Sequence, residues 1–137
     1  MRAALVATVI LGLVALTAAV NAPAAGTAVS AKRVKVTLKE WTLTPSASRV
    51  PAGKVAFVVS NKGNIQHEFV ILRTNIRHQA LPMAGSAAKV RALAEIEDIE
   101  PGQTKRLTLT LKAGKYVLLC NVPGHYKAGQ HAALRVG

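Results

Sequence analysis

Over most of the chain after residue 33, apolar side chains recur at every second position, the pattern of strands that bury one face. Val34, Val36 and Leu38 alternate with Lys35, Thr37 and Lys39. Val55, Phe57 and Val59 share one face of residues 54–60, and Leu107, Leu109 and Leu111 alternate with threonines in 104–112. Residues 67–73, 115–120 and 132–136 read as further strands. The phase slips once, to Trp41 and Leu43, which predicts a bulge near Glu40. Pro51-Ala52-Gly53, Asn61-Lys62-Gly63-Asn64, Glu100-Pro101-Gly102-Gln103 and Ala113-Gly114 are turns. Some seven short strands at this spacing predict an all-β chain, an antiparallel β-sandwich. Residues 75–94 break the alternation, and 89–95 is weakly helical, so one irregular or weakly helical insertion is expected.

The 137 residues suffice for one domain. Met1 and Arg2 precede an apolar stretch reaching Val20, followed by small residues at Ala22, Ala24 and Ala25. This reads as a signal peptide over 1–25. The alternative is an uncleaved anchor through 3–20, close to the ~20 residues that span a bilayer. Residues 26–32 form a flexible leader and 33–137 the folded domain. Both readings place the domain outside the cytoplasm, in the periplasm or at the cell surface. Export favours disulfides, yet Cys120 is the single cysteine, so its thiol is buried and inert or is held by something else.

The formal net charge is +12, or +11 with Arg2 set aside. Such a balance suits an acidic redox partner or an anionic membrane surface. Nucleic acid is disfavoured by dispersed basic residues, few aromatics and the lack of a recognisable binding motif. Glu95, Glu97, Asp98 and Glu100 are four of the six acids. Without calcium-loop spacing they read as a solvated strand edge.

Cys120 ends the apolar run from Tyr116 and begins Cys-Asn-Val-Pro-Gly-His-Tyr-Lys-Ala-Gly-Gln, with His125 and Gln130 at successive five-residue steps. His67 begins another apolar run. One thiolate, two imidazoles and a weak axial group are the donors of a mononuclear blue-copper site. Alternation puts His67 with Phe69 and Ile71, and Cys120 with Tyr116 and Leu118, so both side chains point inward if those faces form the core. If the strand register holds through residue 130, it also puts Gln130 with Ala132, Leu134 and Val136, which makes Gln130 the axial candidate and His131 a surface residue. Met83 is a remote axial alternative, and His78 is expected in solvent.

At these residues the chain resembles the cupredoxins, the plastocyanin-like electron carriers, over about 33–137. Gln130, where methionine is usual, resembles the stellacyanin variant. The resemblance implies a Greek-key sandwich and one copper held by His67, Cys120, His125 and Gln130. It further implies backbone N–H groups of Glu68 and Val122 aimed at the sulfur. Electrons would leave through the edge of His125, ringed by Pro123, Gly124, Tyr126 and Ala128. The implied function is one-electron transfer by a monomer, without enzymatic chemistry. Copper uptake, storage or delivery is the alternative, and a metal-free adhesion sandwich a third reading. A Cys–His hydrolase lacks an orienting third group. Zinc would accept Cys and two His, but Gln is a poor zinc ligand.

Overall fold

The computed structural model describes residues 30–137; the signal peptide or anchor over 1–25 and the first part of the leader lie outside the described residues. Among the described residues the strands are Lys32–Lys39 (β1), Thr42–Pro45 (β2), Arg49–Val50 (β3), Gly53–Asn61 (β4), His67–Arg73 (β5), Met83–Ala84 (β6), Ala87–Ala88 (β7), Ala94–Ile99 (β8), Thr104–Leu111 (β9), Gly114–Leu119 (β10) and His131–Val136 (β11). Two sheets, β2-β1-β4-β9 and β3-β11-β10-β5-β8, form the sandwich, and β6 with β7 makes a small hairpin. No helix among these residues is long and apolar enough to cross a membrane.

The alternation sets the core. Val34, Val36 and Leu38 of β1 and Val55, Phe57 and Val59 of β4 meet Phe69, Ile71, Tyr116, Leu118 and Leu134 from the other sheet, all buried. Phe57 and Phe69 pack ring to ring across the interface, centroids 5.3 Å apart. Fully burying one such side chain is worth roughly 1.5–3 kcal/mol.

The sandwich expectation holds, with departures of detail. Not every pairing is antiparallel: β1 runs parallel to β4, with Val34 opposite Phe57, and β11 parallel to β3, with Val136 opposite Val50. The chain crosses to the second sheet at β3 and returns as β4 beside β1, in the same direction. The phase slip near Glu40 is a chain reversal and not a bulge: β2 folds back antiparallel on β1, pairing Lys39 with Thr42. The helical tendency of 89–95 is not realised. Residues 89–93 are irregular, and Ala94 already begins β8.

The insertion has a packing role. β5 and β10 are buried on both faces, so 69–72 and 116–119 read as unbroken apolar runs. Val70, Leu72, Val117 and Leu119 point away from the main core into a second cluster, closed by Leu81, Ala88 and Tyr126. The insertion is thus a cover over the sheet's outer face, and it grips the loop after Cys120. Asn121 receives the Ala88 N–H at 2.8 Å and donates to the Ala88 carbonyl at 3.1 Å, and Gly124 N–H donates to Ser86 O at 2.8 Å.

Candidate metal centre

His67 is the first residue of β5, and Cys120 follows the last residue of β10. The loop after Cys120 curls through successive turns, with His125 N–H on Val122 O and Ala128 N–H on Gly124 O. Gly124 has φ +87°, a left-handed conformation that costs glycine little. The loop closes where Cys120 N–H donates to Gln130 O at 3.0 Å, which brings residue 130 opposite the cysteine.

Three donors converge there. Cys120 Sγ lies 3.4 Å from His125 Nδ1 and 3.8 Å from His67 Nδ1, and the two Nδ1 atoms are 3.3 Å apart. All three residues are buried, with donor atoms within 4.8 Å of one another; they form the one such group of three or more potential ligands found among the described residues.

Glu68 N–H donates to the Cys120 sulfur at 3.2 Å. Burial pushes the Cys120 thiol up, while the amides of Glu68 and Val122 pull it down and the Glu68 carboxylate adds a smaller upward push. Burial, then the neighbouring His67, holds His125 below its usual 6.5, against upward pulls from Gln130 and Glu40.

Gln130 immediately precedes β11 and is fully buried. Its Nε2 lies 3.0 Å from Lys39 O, 3.3 Å from Thr42 O and 3.1 Å from His67 Nδ1. Carbonyl oxygens only accept, so the amide nitrogen belongs on that side. Gln130 Oε1 is then left buried with no hydrogen-bond partner. An orphaned buried carbonyl is costly. Because the Gln130 side chain contacts His67 and acts on His125, its carbonyl fits a donor set completed by a cation. Soft sulfur, two borderline nitrogens and one harder oxygen suit copper in both of its common oxidation states.

The sequence reasoning missed Glu40. His67 Nε2 donates to Glu40 Oε1 at 3.1 Å, and the same oxygen accepts the N–H groups of Asn64 at 2.9 Å and Ile65 at 3.2 Å. Burial alone would raise the Glu40 pKa, but these hydrogen bonds outweigh it and hold the carboxyl below its usual range. An ionised carboxylate only accepts, so the imidazole proton sits on Nε2 and the Nδ1 lone pair faces the cluster. Asn61 shapes the turn that offers those amides: buried, it donates to Ile65 O and Ile99 O and accepts Gly63 N–H. A turn was legible at 61–64. Its grip on an acid more than twenty positions earlier was not.

Other placements need correction. Tyr126 is not part of an exposed ring around His125. It is buried in the second cluster, its hydroxyl accepting Leu81 N–H at 2.9 Å and donating to His78 O at 2.8 Å. Pro123 and Ala128 are exposed. Trp41, 44% exposed, stacks edge-on against His125 with centroids 4.8 Å apart and takes the place assigned to the tyrosine. His78 and His131 are half-buried and meet each other. Met83 lies in β6 and is exposed, at 37%.

A family model for the cupredoxin-like domain matches residues 7–130, and the chain belongs to that family. It is 31% identical over 109 residues, 75% of its length, to the iron uptake system component EfeO of Yersinia pseudotuberculosis serotype I (strain IP32953), covering 25% of that protein. Over 94 residues it is 30% identical to the copper-resistant cuproprotein CopI of Rubrivivax gelatinosus, covering 62% of this chain and 53% of the relative. The chain therefore spans a quarter to about half the length of these curated relatives. Among solved structures, auracyanin from Roseiflexus castenholzii superposes with a TM-score of 0.59 at 20% identity, covering 79% of this chain and 98% of that one. Rusticyanin from Thiobacillus ferrooxidans gives 0.58 at 19% identity, covering 79% of each. Family, fold and the buried His–Cys–His cluster together define a copper protein.

Proposed function

We propose that this chain is an exported one-electron carrier whose copper is held by His67, Cys120 and His125, with Gln130 as the axial donor. The observation that carries the reading is the convergence of two Nδ1 atoms and one Sγ in a buried pocket whose supports are already bonded. Bound copper supplies a one-electron couple between Cu(II) and Cu(I). Glu40 orients one imidazole, the Glu68 amide steadies the sulfur, and the insertion braces the loop bearing the other imidazole. Such bracing limits rearrangement between oxidation states, which favours fast exchange. The ring edge of His125 away from Nδ1, beside Trp41 and the exposed Pro123, is the proposed outlet. No substrate chemistry is required of the protein.

Cys120→Ser tests the assignment. Wild-type protein loaded with Cu(II) should show an intense thiolate-to-copper band, and the variant should lose it while keeping its far-UV circular dichroism. A variant that kept the colour would remove Cys120 from the site.

The names of the relatives favour a second reading. One is an iron uptake component and the other a copper-resistant cuproprotein, so the same ligands would serve metal uptake or delivery. A reversible couple with fast self-exchange supports the carrier; rapid copper transfer to a chelating acceptor with slow self-exchange supports delivery. For partners we propose redox proteins with acidic docking surfaces, because exposed Lys39, Lys62 and Lys127 lie on segments around the copper end. Electron transfer to such a partner should slow steeply with salt as the ~8 Å screening length at physiological ionic strength shortens.

A further inference from the structure

Of the four histidines in the chain, two belong to the copper centre. The other two, 53 positions apart, find each other: His78 Nδ1 and His131 Nδ1 are 2.7 Å apart, with ring centroids at 4.8 Å and planes at 66°. Both residues are half-buried, so solvent reaches the pair. Each ring is aimed by its surroundings. His131 opens β11 opposite Leu119 and packs against the Tyr126 ring at 4.8 Å. The His78 carbonyl is tied to the Tyr126 hydroxyl, and Arg77 O accepts Ala80 N–H in the turn that carries His78.

We propose that His78 and His131 form a second metal site, a two-coordinate seat for Cu(I) separate from the His67–Cys120–His125 centre. The choice of ion follows from the donors. No third His, Cys, Asp or Glu joins the pair, since the only group of three or more among the described residues is the copper centre. The Tyr126 hydroxyl is already engaged on both sides. Zinc calls for four ligands and hard cations call for oxygen. Cu(I), with a filled d shell, is satisfied by two nitrogens in line, and imidazole suits copper. As the pair stands, one Nδ1–H donates to the other ring's lone pair. Binding moves that proton to the same ring's Nε2, so both Nδ1 lone pairs reach the ion with no net proton release. The nitrogens must part to on the order of 4 Å, two metal–nitrogen bonds of about 2 Å, which asks for a small shift of the His78 turn. Tyr126 follows ligand His125, and His131 follows Gln130. The seat therefore adjoins the same loop that carries His125 and Gln130, and unlike the buried centre it is half-exposed. The inference rests on the copper reading for the ion's identity, not on the electron-carrier role.

The test is an anaerobic Cu(I) titration of the full chain against a chromogenic Cu(I) chelator. Wild type should take two equivalents. His78→Ala and Cys120→Ser should each take one, and the His78 variant should keep the thiolate-to-copper band of the Cu(II) form. Two equivalents retained by His78→Ala, or saturation of wild type at one, overturns the proposal. Failure of the copper reading looks different, as loss of the coloured band from wild type. On the unmutated chain, nitrogen-15 spectra of the histidine rings should show the His78 and His131 Nδ1 signals shifting together at the second equivalent; unmoved signals would equally reject the site.

Discussion

Glu40 is the sharpest point at which to perturb the metal centre, because its carboxylate oxygen serves three donors: the His67 ring and the amides of Asn64 and Ile65. Replacing a partner that orients a metal-bound histidine typically costs 10–100-fold in metal affinity. The lost negative charge falls mainly on Cu(II), the more highly charged ion. If Cu(I) affinity is unchanged, that loss raises the one-electron potential by ~60–120 mV, at 59 mV per tenfold. Glu40→Ala should show the full shift, and Glu40→Gln, which keeps an acceptor oxygen but no charge, part of it. Gly63→Ala offers a second route. A Cβ at residue 63 would press on Glu40 Oε1 and lie 2.7 Å from its Cδ and 2.8 Å from Oε2. The carboxylate end is flexible and can move away, so this variant should fold normally yet raise the potential in the same direction. Protein-film voltammetry measures the shift, and competition with a Cu(II) chelator measures the affinity. Unchanged potential in Glu40→Ala and Gly63→Ala, with copper still bound, would refute the role given to the carboxylate.

Gln130→Met should raise the potential too, since a thioether favours Cu(I) over the amide oxygen; a fall would take Gln130 out of the axial position. Phe57→Ala empties a fully buried site against Phe69 and should cost about 3–5 kcal/mol in urea unfolding of the protein without metal; a loss below that range would mean the two sheets close over the gap. Acid should weaken the metal-free fold from about pH 6.5 downward. His125 is held below its usual 6.5 in the folded chain, so the unfolded chain takes up the proton first and stability falls with pH until both states are protonated. A His125→Gln variant should lose that part of the pH dependence, and chemical denaturation at a series of pH values reads it directly.

Short-range information in the chain was enough for much of this. Cys120, His125 and Gln130 lie within one loop, and the alternation of 132–136, if carried back through residue 130, put Gln130 rather than His131 on the inward face; β11 begins at His131, yet Gln130 is buried. A period of two needs only neighbouring residues to be read, so the β-sandwich and its core-facing positions were visible as well. What depends on contacts distant in sequence was not. The parallel pairing of β1 with β4 depends on where the chain goes between them. β5 and β10 lack alternation because the insertion covers their outer faces, and no local pattern says which segment will do so. Glu40 reaches His67 only after β2 folds back and the turn at 61–65 offers its amides. His78 and His131, each unremarkable in its own stretch, became a pair when the insertion settled beside the start of β11. Ligand identity is a property of single side chains, whereas orientation, burial and pairing arise from the packing of segments far apart in the chain, and those only the tertiary structure decided.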